Sequence, residues 1–113
     1  MSTIRKKLIS YDELHNLDSK GLTVIVEEMQ LTIFVVKKDK QIFVYENSCP
    51  HTQGPLDWVP DNFLDGNQKF IMCANHGALF QINDGLCVYG PCKSQSLRAL
   101  PFEIENGEVY LLV

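Results

Sequence analysis

The sequence predicts an all-β fold, a sandwich or barrel, with one short helix. Three observations lead there. Runs of four to six residues rich in β-branched and aromatic side chains recur along the chain. Residues that favour turns separate them at regular intervals. Only one stretch, near the N-terminus, carries a helix-start signal.

That signal is Ser10-Tyr11-Asp12-Glu13, a capping box placed before Leu14 and Leu17. It predicts a helix over about Tyr11 to Leu17. Gly21 then releases three β segments, Thr23–Val26, Leu31–Val36 and Gln41–Tyr45, joined by polar gaps of hairpin size. They read as an antiparallel meander, with Lys37, Lys38 and Lys40 around Asp39 at a solvated hairpin tip. Residues 57–68 include Trp58, Pro60, Asp61, Gly66 and Asn67 and read as an exposed loop. Phe70-Ile71-Met72 is a short strand. Leu79–Ile82 and Leu86–Tyr89 flank Asn83-Asp84-Gly85 and make a hairpin with an Asp-Gly turn. Gly90-Pro91 breaks the chain, and Leu97–Ile104 with Val109–Val113 closes it as a hairpin about Asn106-Gly107. No internal repeat or low-complexity segment interrupts this series.

A chain of 113 residues is enough for one domain, spanning 1–113, and too short for a catalytic domain beside it. Ten basic and fourteen acidic side chains give a net charge of −4, and no Lys/Arg stripe with interleaved aromatics occurs. Nucleic acid is therefore not expected as a partner. No apolar run approaches the roughly 18 residues of a membrane-spanning helix. The first ten residues carry positive charges without an apolar stretch behind them, so they do not read as a secretory signal. The four cysteines lack the spacing of a disulfide framework, which fits a reducing cytoplasm.

Two short mixed pairs carry the chemistry: Cys49-Pro50-His51 and, with 21 residues between His51 and Cys73, Cys73-Ala74-Asn75-His76. Each offers one thiolate and one imidazole, the donor mixture of a 2Fe–2S cluster in which two histidines replace two cysteines on one iron. Each is followed by turn-permissive residues, Gln53-Gly54-Pro55 and Gly77-Ala78. Zinc also takes two Cys and two His. Its finger spacing, however, pairs Cys with Cys and His with His.

The pattern C-x-H…C-x-x-H resembles the Rieske family, and the resemblance extends from about Val44 onward. It implies a β base with a smaller two-loop cluster-binding unit, here about residues 46–92. It also implies a [2Fe-2S] cluster held by Cys49, His51, Cys73 and His76, with both cysteines on one iron. Each His would bind iron through one ring nitrogen and expose the other as an electron port. A Gly-Pro loop covers the cluster in such proteins, and Gly90-Pro91 stands where that loop is expected.

Departures from the pattern place the chain within the family. High-potential members carry one more Cys in each ligand loop, linked as a disulfide. The matching positions here are Gly54 and Asn75. Those members also place Ser and Tyr hydroxyls two and four residues after the second His, where this chain has Ala78 and Phe80. Loss of both features implies a potential near the low end of the Rieske range, about −150 mV, as in soluble ferredoxins. The interval between the pairs is a little longer than is common, and Asp57, Asp61 and Asp65 in it offer either a partner footprint or solvated filler. Cys87 reads as apolar filler in its strand, and Cys92 as a residue that could stand beside the cluster. A disulfide between those two does not fit a reducing compartment. His15 reads as a surface residue of the helix, and Trp58 as packing over the first ligand loop.

No nucleophile–base pair competes with these ligands, so the chain is read as an electron carrier and not itself an enzyme. The expected role is to pass single electrons from a flavin reductase to a terminal oxygenase, as a monomer. Two alternatives stay open: a fixed Rieske subunit of a larger redox enzyme such as nitrite reductase, and a zinc-stapled interaction module.

Overall fold

The computed structural model describes residues 5–50, 54, 56, 61–74 and 77–112. Among them, nine strands pair into three antiparallel sheets of three strands each. The expected meander forms the first sheet: β2 (Asp18–Val26), β3 (Met29–Lys38) and β4 (Gln41–Glu46), with β3 central. Ile33, Phe34, Val35 and Val36 of β3 are all 0% exposed. Since side chains alternate across a strand, such a run must be covered on both faces. Phe34 and Val36, with Tyr45 of β4, join a core containing Cys49, Cys73 and Phe80. Ile33 and Val35, with Ile42 and Val44, join a second core containing Ile9, Val109 and Leu111. The meander therefore divides two cores.

The second core is closed by β1 (Arg5–Ser10), β8 (Phe102–Glu105) and β9 (Glu108–Leu112), in the order β1-β9-β8. The first is closed by β5 (Phe70–Met72), β6 (Leu79–Gln81) and β7 (Cys87–Tyr89), in that order. β6 and β7 are the expected hairpin. Gly85 takes φ +75° in its turn, and the Asp84 carboxylate accepts the Leu86 N–H at 2.9 Å. Asn106 and Gly107, at φ +53° and +77°, make the expected turn between β8 and β9.

The structure corrects several sequence expectations. The helix is a single 3-10 turn, Tyr11–Glu13, and the capping box does not form. The Ser10 hydroxyl donates instead to Glu108, at 3.0 and 3.2 Å to its two oxygens, because Ser10 pairs with Glu108 as the last residue of β1. Gly21 lies inside β2 and not before it. A Cβ there would sit 3.1 Å from the Phe63 ring, so glycine lets Phe63 lie against the strand. Phe63 stacks on Phe34 with centroids 4.3 Å apart. Phe63 and Leu64 are buried, and Leu64 bridges to Ile71, so these two residues of the expected loop belong to the core, while residues 61, 62 and 66–68 are exposed as expected. Lys37 is not at the solvated tip either. Its ammonium donates to the carbonyls of Tyr11 (3.2 Å) and Leu14 (2.9 Å) and stands 3.7 Å from the Tyr11 ring centroid. Asp57 and Trp58 lie outside the described residues.

Candidate metal centre

Strand β4 ends at Glu46 and leads directly into the first ligand pair. Asn47 anchors this exit twice: its N–H donates to Thr32 O at 2.9 Å, and its side-chain oxygen accepts the Leu56 N–H at 2.8 Å. Cys49 follows, 1% exposed. Strand β5 delivers Cys73, 0% exposed, in the same way. Both thiols belong to one core with Phe34, Tyr45 and Phe80.

The two loops that begin at these cysteines close alike. Cys49 N–H donates to Gly54 O at 2.8 Å, and Cys73 N–H donates to Ala78 O at 2.9 Å. Each bond joins a cysteine to the residue five positions on, so each loop encloses four residues with a cysteine at its base. In the second, Gly77 takes φ +68° and donates to Cys73 O at 2.9 Å. The loops are also joined to each other, since Ala74 N–H donates to Leu56 O at 2.8 Å. His51 and His76 fall inside these excursions, and both lie outside the described residues. Two thiols at the bases of a matched, cross-linked pair of loops fit a small inorganic cluster seated between them.

The third element is the turn that begins at Gly90. Gly90 takes φ +107°, and a Cβ on it would meet Ala78 Cα at 2.8 Å and Ala78 Cβ at 3.0 Å. Its backbone therefore rests directly on the residue that closes the second loop. Cys92 extends from this turn into the core, 1% exposed, with its sulfur 3.2 Å from that of Cys87. Cys92 and Cys49 belong to the same buried core. Burial, then the neighbouring Cys87 and Cys49 sulfurs, push the Cys92 thiol up to about 12, so it keeps its proton at neutral pH. Sequence reasoning offered Cys92 only as a neighbour of the cluster and Cys87 as filler. What it lacked was the fold-back of the 90–95 turn onto β7, where Ser94 N–H donates to Cys87 O (3.2 Å) and Cys87 N–H to Gln95 O (2.8 Å).

Two further residues position the site. The Tyr45 hydroxyl donates to Ile82 O at 2.6 Å, and its ring fills the space where a Cβ on Gly85 would come within 2.9 Å. This ties the strand that feeds the first loop to the β6–β7 turn. Burial, and secondarily the Asp84 carboxylate, push the Tyr45 phenol up to about 12. Asp61 holds the connecting segment to β2: its carboxylate accepts the Gly21 N–H at 2.8 Å and its carbonyl accepts the Ser19 hydroxyl at 2.7 Å. Asp65 accepts the Lys69 and Phe70 N–H groups at 2.8 and 3.0 Å. Asp61 and Asp65 thus have structural work within this chain, and neither is solvated filler. His15 lies in the turn before β2, its N–H donating to Asp18 at 2.9 Å.

The Rieske [2Fe-2S] domain model matches residues 6–105 of the chain. Comparison with curated proteins gave no match. Among solved structures, a chain of the complex of reduced oxygenase and oxidized ferredoxin in carbazole 1,9a-dioxygenase is similar, with TM-score 0.75 and 22% identity over 98% of this chain and 94% of that one. The ferredoxin of carbazole 1,9a-dioxygenase from Nocardioides aromaticivorans IC177 gives TM-score 0.70 and 19% identity, covering 98% and 97%. The Sphingomonas yanoikuyae B1 ferredoxin gives 0.72 and 27%, covering 97% and 99%.

Proposed function

We propose that this chain, which belongs to the Rieske [2Fe-2S] domain family, is a one-electron carrier that takes electrons from a flavin reductase and delivers them to a terminal oxygenase. We further assign its cluster ligands as Cys49, His51, Cys73 and His76. The observation that carries the assignment is the matched closure of the two loops, each with a buried cysteine at its base. When bound, the cluster supplies one reversible electron, and its ligand set places the potential within the Rieske range.

The chain's own residues do the rest. Cys49 and Cys73 enter from the core side, so their sulfurs are shielded from water by Phe34, Leu56 and Phe80. The bond from Ala74 to Leu56 keeps the two loops in register. Gly90 rests the Gly-Pro turn directly on Ala78, which closes the second loop. His51 and His76, the second ligand of each pair, are the assigned exit for the electron.

Similarity to a ferredoxin and to a chain of a ferredoxin–oxygenase complex supports an oxygenase as the acceptor. The test uses the purified holo-protein. Chemically reduced protein should be reoxidised by a terminal oxygenase within a stopped-flow experiment and re-reduced by NADH with a flavin reductase. It should elute alone on size exclusion after mixing with either. Permanent co-elution with one partner would make it a fixed subunit, and failure to exchange electrons with both would refute the carrier role.

A further inference from the structure

We propose that Cys87 and Cys92 are a convertible thiol pair, oxidised to a disulfide by a small-molecule disulfide such as oxidised glutathione. The new bond locks the 90–95 turn onto β7. Both residues are free thiols in the structure, 2% and 1% exposed, with their sulfurs 3.2 Å apart. A disulfide bond is about 2.0 Å long, so closure asks the two sulfurs to approach by about 1 Å. The backbone on either side is already brought together. Ser94 N–H donates to Cys87 O at 3.2 Å, Cys87 N–H donates to Gln95 O at 2.8 Å, and Leu86 bridges to Ser96.

The exchange balances on these two residues. The Cys92 thiolate attacks one sulfur of the small disulfide, whose other half leaves as a thiolate. The Cys87 thiolate then attacks the Cys92 sulfur and displaces the second half. Two protein thiols give up two electrons and two protons, and the small disulfide takes them up as two thiols. Burial pushes the Cys92 thiol up to about 12, so it is unreactive while the turn is shut. Opening the turn disturbs little. Pro91, Lys93, Ser94 and Gln95 are exposed, and the bonds from Lys93 N–H to Gly90 O and from Ser94 N–H to Cys87 O are both 3.2 Å long. Ser94 also takes φ +79° without being glycine, a strained conformation that opening relieves. Once made, the disulfide restricts the opened states of the turn. Because Gly90 rests on Ala78, which closes the Cys73 loop, the locked turn also steadies that loop. Closure itself rests on no ligand assignment; only its effect on the cluster does.

The test uses the holo-protein, equilibrated at a series of ratios of oxidised to reduced glutathione, quenched in acid and alkylated after unfolding. Mass spectrometry counts the alkylated thiols. Wild type should lose two of them together, as a species two hydrogens lighter with no glutathione attached. Fragmentation should place the bond between Cys87 and Cys92, and Cys87→Ser and Cys92→Ser should each lack that species. The visible cluster absorbance should be unchanged by the conversion. On heating, it should persist to a temperature several degrees higher in the oxidised form than in the reduced one, with no such difference in Cys87→Ser. Wild type that keeps both thiols at the most oxidising ratio, or a bond formed through Cys49 or Cys73, would overturn the proposal. Equal bleaching of the oxidised and reduced forms would overturn the hold of the locked turn on the second loop. The ligand assignment has its own readout: Cys49→Ala with a full complement of iron and an unchanged visible spectrum would overturn that assignment and leave the thiol count untouched.

Discussion

Gly90→Ala should loosen the cluster site more than any other single glycine substitution considered, and the structure says by how much. Two costs add. The first is backbone strain: φ +107° lies beyond the left-handed helical region, and a side chain there costs about 1–3 kcal/mol. The second is overlap, since the new Cβ would lie 2.8 Å from Ala78 Cα, a backbone atom that cannot swing aside. Overpacking of that kind costs about 1–3 kcal/mol. A total of about 2–6 kcal/mol is expected, equivalent to roughly 8–24 °C in apparent melting temperature for a chain of this size. Gly107→Ala is the control. It has φ +77° and nothing within 4 Å of a new Cβ, so only strain of about 1–2 kcal/mol applies. The assay is bleaching of the visible cluster absorbance on heating, with circular dichroism followed in parallel. Gly90→Ala should bleach well before Gly107→Ala, because Ala78 O closes the Cys73 loop. Equal behaviour of the two variants would refute the argument that the Gly-Pro turn bears on the second loop.

Three other outcomes are expected. Glu27 and Glu28 form the β2–β3 turn at φ +50° and +68° with no glycine, so Glu28→Gly should stabilise the protein by about 1 kcal/mol in a denaturant titration, and a loss of stability would refute the turn geometry. Asp61→Ala removes the acceptor of the Gly21 N–H and should cost about 1 kcal/mol, whereas Asp61→Asn keeps it; equal loss in both would mean that the exposed Lys20 ion pair at 3.7 Å matters, not the hydrogen bond. Tyr45 keeps its proton in the folded state up to about pH 12, against about 10 unfolded, so its contribution is full below pH 10 and declines as pH rises from 10 to 12. Tyr45→Phe should lack that alkaline decline, and an identical pH profile would refute the link.

The strands were legible where the local pattern is strong. Leu31–Val36 and Gln41–Tyr45 are dense in β-branched and aromatic residues, and Asp84-Gly85 marks its hairpin without help from distant residues. What escaped depends on contacts far along the chain. β1 reads as a charged N-terminus because Arg5 and Lys7 face outward to Glu103, Glu105 and Glu108, partners about a hundred residues away. The helix shrank to one turn because Ser10 was taken by the sheet. The 57–68 segment looked solvated since its polar residues outnumber Phe63 and Leu64, which the core nevertheless claims. At the site, the spacing of Cys49 and Cys73 sufficed to single them out, because ligand pairs are local motifs. The approach of Cys92 to Cys87 was invisible, because it depends on the 90–95 turn folding back onto β7.

The ligand assignment itself is tested most directly by nuclear–electron double resonance on the reduced holo-protein labelled with 15N-histidine. The chain has three histidines, and His15 sits in the turn before β2 with its backbone N–H bonded to Asp18. Two coupled histidine nitrogens are therefore expected in wild type, with one lost in His51→Cys and one in His76→Cys, and none lost in His15→Gln. A reduced cluster with no coupled histidine nitrogen, or couplings that survive both His51→Cys and His76→Cys, would contradict the account.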